Sequence, residues 1–250
     1  MVKKALSLVL AMLTLVLCLS SCSKGFAPND TTIDVALLEF PGLKWNSSIN
    51  DVKKALNLTD EQILADEQAT YTEDYGYEIW NLLVADIQFL GCDAEKVQFM
   101  FIRYPGRNFG LTQIELTFSG NWDMNTLKDK LTEVYGEGSG QPAPLYRMNE
   151  EGYLETINID SNSVPNNAPG FPYYWFSTVK GTDVLSSTAQ ERYIDYWIST
   201  SPGINPEAVR EYLEKTSAVT ITCMDWLDNE TSKIMFDASS FTHNLQQFEE

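Results

Sequence analysis

The sequence predicts an α+β fold, an antiparallel sheet with helices packed on one side of it. Three observations predict it. Several segments alternate apolar and polar residues at the period of a strand, "EKVQFMFIRY" and "LTQIELTFS" most plainly. Short polar turns such as "PGRNFG" and "LDNETS" join them in pairs, as antiparallel hairpins require. Helical segments, marked by caps and by apolar residues three and four apart, fall outside these pairs instead of alternating with single strands.

Residues 1–21 stand apart. Lys3 and Lys4 precede an apolar run from Ala5 to Leu19, broken only by Ser7 and Thr14. That run is too short to cross about 30 Å of hydrocarbon comfortably. A basic start, a short apolar stretch and small residues form a secretory signal. Leu19-Ser20-Ser21-Cys22 resembles the lipobox of bacterial lipoproteins. The resemblance implies cleavage before Cys22 and a diacylglycerol thioether on its sulfur, so that the membrane is reached through lipid on Cys22. A thiolate is the side-chain nucleophile that alkylates readily near neutral pH. Cys18 lies inside the apolar run without that frame and is discarded with it. Residues 22–34 contain "SKGFAPNDTTID" and read as a lipidated tether. A dozen residues reach at most about 40 Å, so the body is expected on the cell membrane, facing outside the cytoplasm and close to the lipid surface.

Residues 35–136 read as a first α+β unit. Ser48 caps a helix whose Asp51 supports the first turn and whose Ile49, Val52 and Leu56 share a face. Thr59 and Gln62 repeat the T-x-x-Q capping pattern and point to a short helix through Ile63 and Leu64. After the polar "ATYTEDYGYE", the segments "IWNLLVADIQFL", "EKVQFMFIRY" and "LTQIELTFS" are strands. Val97, Phe99 and Phe101 share one face, as do Ile114, Leu116 and Phe118. Asp123 then caps a helix with Met124, Leu127, Leu131 and Val134 as its apolar stripe and Gly136 as its stop.

Residues 137–250 read as a second unit with a helical insertion, packed as one body with the first. "LYRMNEEGYLETINI" is a hairpin around Glu151 and Gly152, "DSNSVPNNAPGFP" a loop, and "YYWFSTVK" a strand. Helices follow over "TAQERYIDYWI" and "NPEAVREYLEK", the second with Asn205 as cap and Pro206 at its first position. "SAVTITCMDW" and "KIMFDAS" close the chain as two strands. Each half thus places a hairpin after a helix, a degenerate tandem α-β-β-β repeat.

Gly42, the helix "SINDVKKALNL" and the strands "VQFMFIRY" and "LTQIELTF" resemble small lipoproteins of the OmlA/SmpA kind and the β-lactamase-inhibitor-protein-like fold. That likeness covers about residues 40–136 and implies helices on a short antiparallel sheet, with the unit repeated in tandem in the inhibitors. The lead "GLKWNSS" and the ending Leu56-Asn57 depart from the Gly-Met-Thr and Leu-Gly of those proteins. It speaks to fold more than to function.

The net charge of −18, more negative by two once Lys3 and Lys4 are removed, argues against nucleic acid as a partner. His243 is the single histidine, near the end in a segment that reads as frayed, so histidine catalysis and a zinc site have little to draw on. The run "DSNSVPNN" from Asp160 lacks the glycine and final Glu of a calcium loop. No cofactor is expected. Cys92 and Cys223 remain after processing; export permits a disulfide and the sequence leaves the pairing open, although Cys223 shares an alternating face with Val219 and Ile221. "FPYYWFS" and "ERYIDYWI" concentrate aromatic rings, which stack on sugars and anchor interfaces. Tyr173, Trp175, Tyr193 and Trp197 are the candidate binding residues, although alternation sends Tyr174 and Phe176 to the other side of the strand. The expectation is a non-catalytic binding or envelope-complex role with a protein or glycan partner. The alternative is a glycan hydrolase using two of the many carboxylates, held about 5 to 9.5 Å apart.

Overall fold

The computed structural model describes residues 33–72, 76–119, 122–142, 145–149, 154–157, 172–225 and 231–249. The segment expected to be a signal, Cys22, all but the end of the expected tether, the turn expected at Glu151 and Gly152, and the loop expected from Asp160 lie outside the described residues. In chain order the elements are a 3-10 turn (Val35–Leu37), α1 (Ile49–Ala55), β1 (Ile63–Thr72), β2 (Tyr77–Phe89), β3 (Cys92–Arg103) and β4 (Gly110–Ser119). Then come α2 (Met124–Tyr135), β5 (Leu145–Met148), β6 (Leu154–Ile157), β7 (Tyr173–Phe176), α3 (Gly181–Val184), α4 (Ser187–Thr200) and α5 (Pro206–Lys215). β8 (Thr220–Asp225), β9 (Thr231–Asp237) and α6 (Ser239–Phe248) complete it.

Seven strands form one antiparallel sheet in the order β1-β2-β3-β4-β9-β8-β7, and β5 pairs with β6 in a separate hairpin. This is the α+β class expected from the alternation. The halves join where β4 pairs with β9, from Gln113 opposite Asp237 to Ser119 opposite Thr231. Register aligns Leu82, Phe99, Ile114, Phe236, Ile221 and Trp175 in one row across six strands, none more than 2 % exposed. Burying rows of this kind removes apolar surface from water at roughly 25 cal/mol per Å².

The helices that cover this face start where their caps say. Ser48 and Asp51 make a reciprocal capping box on α1, and Asp123 accepts the Thr126 N–H of α2 at 2.8 Å. α1 contributes Val52 and Leu56 to the core, and α2 contributes Leu127, Leu131 and Tyr135. Between the 3-10 turn and α1, Leu38, Phe40, Leu43 and Trp45 are buried as well; Phe40 stacks on Phe89 at 5.1 Å and meets Phe236 edge-on at 5.7 Å. A second cluster forms from α4, α5 and α6 around Tyr193, Ile194, Val209, Leu213 and Phe248. Asn205 accepts from Glu207 N with Pro206 at the first helical position, as the sequence indicates.

Two expectations change. Thr59 and Gln62 do pair, but they close a turn, with Gln62 N donating to Thr59 O at 3.0 Å, and no helix follows. Ile63 instead opens β1, opposite Val84, because Gln62 O already accepts from Ala85 N and strand pairing continues from there. The C-terminal segment is not frayed. It forms α6, anchored by Thr242 Oγ1 donating to Leu111 O at 2.8 Å and by Gln246 Nε2 donating to Ile102 O at 3.2 Å.

Candidate binding surface

Period-two alternation gives the sheet a second face, and its residues are different in kind. One row runs Phe176, Thr220, Asp237, Gln113, Met100, Asn81 across β7, β8, β9, β4, β3 and β2. The next runs Tyr174, Thr222, Met235, Glu115, Gln98, Leu83. All are half-buried apart from Thr222, which is 7 % exposed. This floor is neither core nor a shell of charge.

The floor side chains fasten one another across strands. Lys233 pairs with Glu115 at 2.6 Å, Gln98 donates to Asn81 Oδ1 at 3.3 Å, and Gln113 donates to Met235 Sδ at 2.8 Å. Tyr174 and Phe176 stack with ring centres 6.0 Å apart. Partial burial pushes the Tyr174 hydroxyl above its ordinary pKa, so it stays a neutral hydrogen-bonding group across the physiological range. Rigid aromatics present contact area at small entropic cost, while methionine and the fastened amides adapt to or hydrogen-bond a partner.

At one end the floor meets a wall. α6 crosses the ends of β3 and β4, where Gln246 is the central tie. It donates to Asn46 Oδ1 and to the carbonyls of Ile102 and Asn108, and accepts from Tyr104 N. His243 on the same helix lies edge-on to Tyr77 at 4.7 Å and shares a hydrogen bond with Tyr104 Oη at 3.0 Å. Burial lowers the His243 pKa, opposed by the charge of Asp237; burial also pushes Tyr104 up to about 12. A cavity of about 380 Å³ opens where floor and wall join.

The four aromatics singled out in the sequence divide into two separate pairs. Trp175 is 2 % exposed and belongs to the core row, its indole N–H donating to Gly136 O at 2.8 Å. Tyr193 is 7 % exposed inside the helical cluster, and burial pushes its hydroxyl up to about 12. Both side chains lie beneath the surface expected for them, because register with Ile221 and packing on Phe248 turn them inward. Tyr173 is half-buried and donates to Gly138 O, with Lys128 over its ring. Trp197 is 38 % exposed beside Tyr196 and Ile198 on α4. The residues the sequence reading missed are the strand partners facing the other way, Tyr174 and Phe176, together with Met235 and Gln98.

Cys92 and Cys223 are both free and buried, at the start of β3 and within β8, and burial raises both thiol pKa values, Cys223 to about 12. No described helix is long and apolar enough to cross a membrane. Compared with known proteins, the chain matches no family model, no curated protein and no solved structure.

Proposed function

We propose that this chain is an extracytoplasmic lipoprotein, held to the cell membrane through lipid on Cys22, whose body serves a non-catalytic binding role toward a protein of the envelope. The observation that carries the binding role is the floor of the sheet. Its two cross-strand rows of half-buried, mutually fastened side chains lie opposite a dry core face and end at the wall of α6. A face of this composition resembles the more polar class of protein interface, built from aromatic and methionine anchors among amides. The lipobox-like Leu19-Ser20-Ser21-Cys22 supports the anchor, and the dozen residues after it let the start of the body stand at most about 40 Å from the membrane.

Two experiments test this reading. Cells given a labelled fatty acid incorporate it into the wild-type chain and not into Cys22→Ala. The full chain, extracted in detergent, co-purifies with one stoichiometric protein that Met235→Glu with Gln98→Arg releases and that Lys54→Glu, on the opposite side of the body, retains. Label that survives Cys22→Ala removes the anchor; a partner indifferent to the floor variants removes the binding face.

A further inference from the structure

Acids outnumber bases by 35 to 17 in this chain, so a basic side chain ordinarily finds a carboxylate. Lys44, Lys53, Arg103, Arg210 and Lys233 all do. Lys180 does not. It is half-buried on the lining of the corner cavity, its ammonium donates to Ser217 Oγ at 2.9 Å, and it forms no ion pair with a described carboxylate. Both ends of that contact are fixed by backbone. Lys180 and Ser217 face each other in an isolated antiparallel bridge, and Ala218 N donates to Val179 O at 3.0 Å. A lysine whose position is set by the fold, with ammonium protons still to place, is preorganised for an anion.

We propose that this cavity binds a small carboxylate, with Lys180 as its counter-ion. The lining decides the class of anion. Asp237 also lines the cavity without an ion pair to Lys180 and lowers the positive charge there, while the second lysine, Lys215, is already paired with Glu211. A doubly charged phosphate group meets too little positive charge beside Asp237, whereas a single carboxylate meets one ammonium and the hydroxyls of Ser217 and Ser240. Phe176 supplies an apolar wall for the carbon body of the acid, and the cavity of about 380 Å³ accommodates a ligand of a few carbons. Occupancy requires no macromolecule on the floor, so this assignment goes beyond the binding role above and stands or falls separately.

The test is an amide chemical-shift titration of the full chain in detergent with propionate, with its neutral isostere propionamide, and with inorganic phosphate. Propionate is expected to shift Ser217, Thr220 and Ser240 saturably, and propionamide to leave them in place. Lys180→Gln weakens propionate roughly ten-fold by removing a charge-assisted hydrogen bond, with an unchanged thermal midpoint. Asp237→Asn keeps the acceptor for Ser239 N and tightens propionate, a change opposite in sign that loss of structure does not produce. Equal shifts with propionamide, tighter binding of phosphate, or no effect of either variant overturns the proposal.

Discussion

At the scale of single residues, the polar groups around α6 carry the most information. His243 is held neutral between Tyr77 and Tyr104 with its pKa lowered by burial, so the unfolded chain takes up a proton before the folded chain does. Stability contributed by this group is present above about pH 6.5 and is lost as pH falls from there through the lower folded value. Urea midpoints measured at pH 7.5 and 5.5 are expected to differ more for wild type than for His243→Gln; equal differences contradict the assignment. Gly110 is a second sensitive point, since a Cβ there sits 2.0 Å from Asn46 Oδ1 and 2.5 Å from Gln246 Nε2. Gly110→Ala is expected to cost about 1–3 kcal/mol in denaturant unfolding, by forcing apart the groups that tie α6 to the sheet. None of this was legible in the sequence. Two of the buried residues of α6 are Thr242 and Gln246, which are inside because they satisfy backbone carbonyls, and such residues leave no apolar periodicity to read. Trp175 and Tyr193 turn inward: alternation shows that neighbouring rings on β7 part, pairing with Ile221 gives Trp175 the core side, and packing on Phe248 buries Tyr193.

At the scale of elements, caps and alternation were read directly. α1, α2 and α5 begin next to the caps read from the sequence, α4 covers the segment read as a helix without a named cap, and β2, β3, β4, β8 and β9 follow the period-two runs. Asp123→Ala removes the acceptor for Thr126 N and is expected to lower stability by about 1 kcal/mol, whereas Asp123→Ser retains most of it; a thermal melt of both variants checks this. β1 was missed for a physical reason. It is an edge strand with register shifts between Ile63 and Ala65 and between Gln68 and Thr70, and Asp66, Glu67 and Gln68 face solvent, so no apolar row marks it. Charges and bulges of this kind are how an edge avoids pairing with another chain.

At the scale of the whole molecule, the halves share one sheet across the β4–β9 pair, a junction between strands more than a hundred residues apart that local pattern does not specify. Phe236 sits at that junction, edge-on to Phe40, Phe89 and Tyr135. Phe236→Ala is expected to cost roughly 3–5 kcal/mol and to shift a single cooperative transition, seen alike by tryptophan fluorescence and far-ultraviolet dichroism. Two separated transitions contradict a continuous core. The same sheet has one face sealed by α1 and α2 and the other left as a floor, and the proposed binding role rests on that asymmetry. It is tested most directly by placing a photo-cross-linking amino acid at Gln98 or Met235 on the floor, and at Lys54 on α1, in the full chain in its own cells. The account predicts one discrete adduct from the floor positions and none from Lys54; adducts of equal yield from all three, or from Lys54 alone, contradict it.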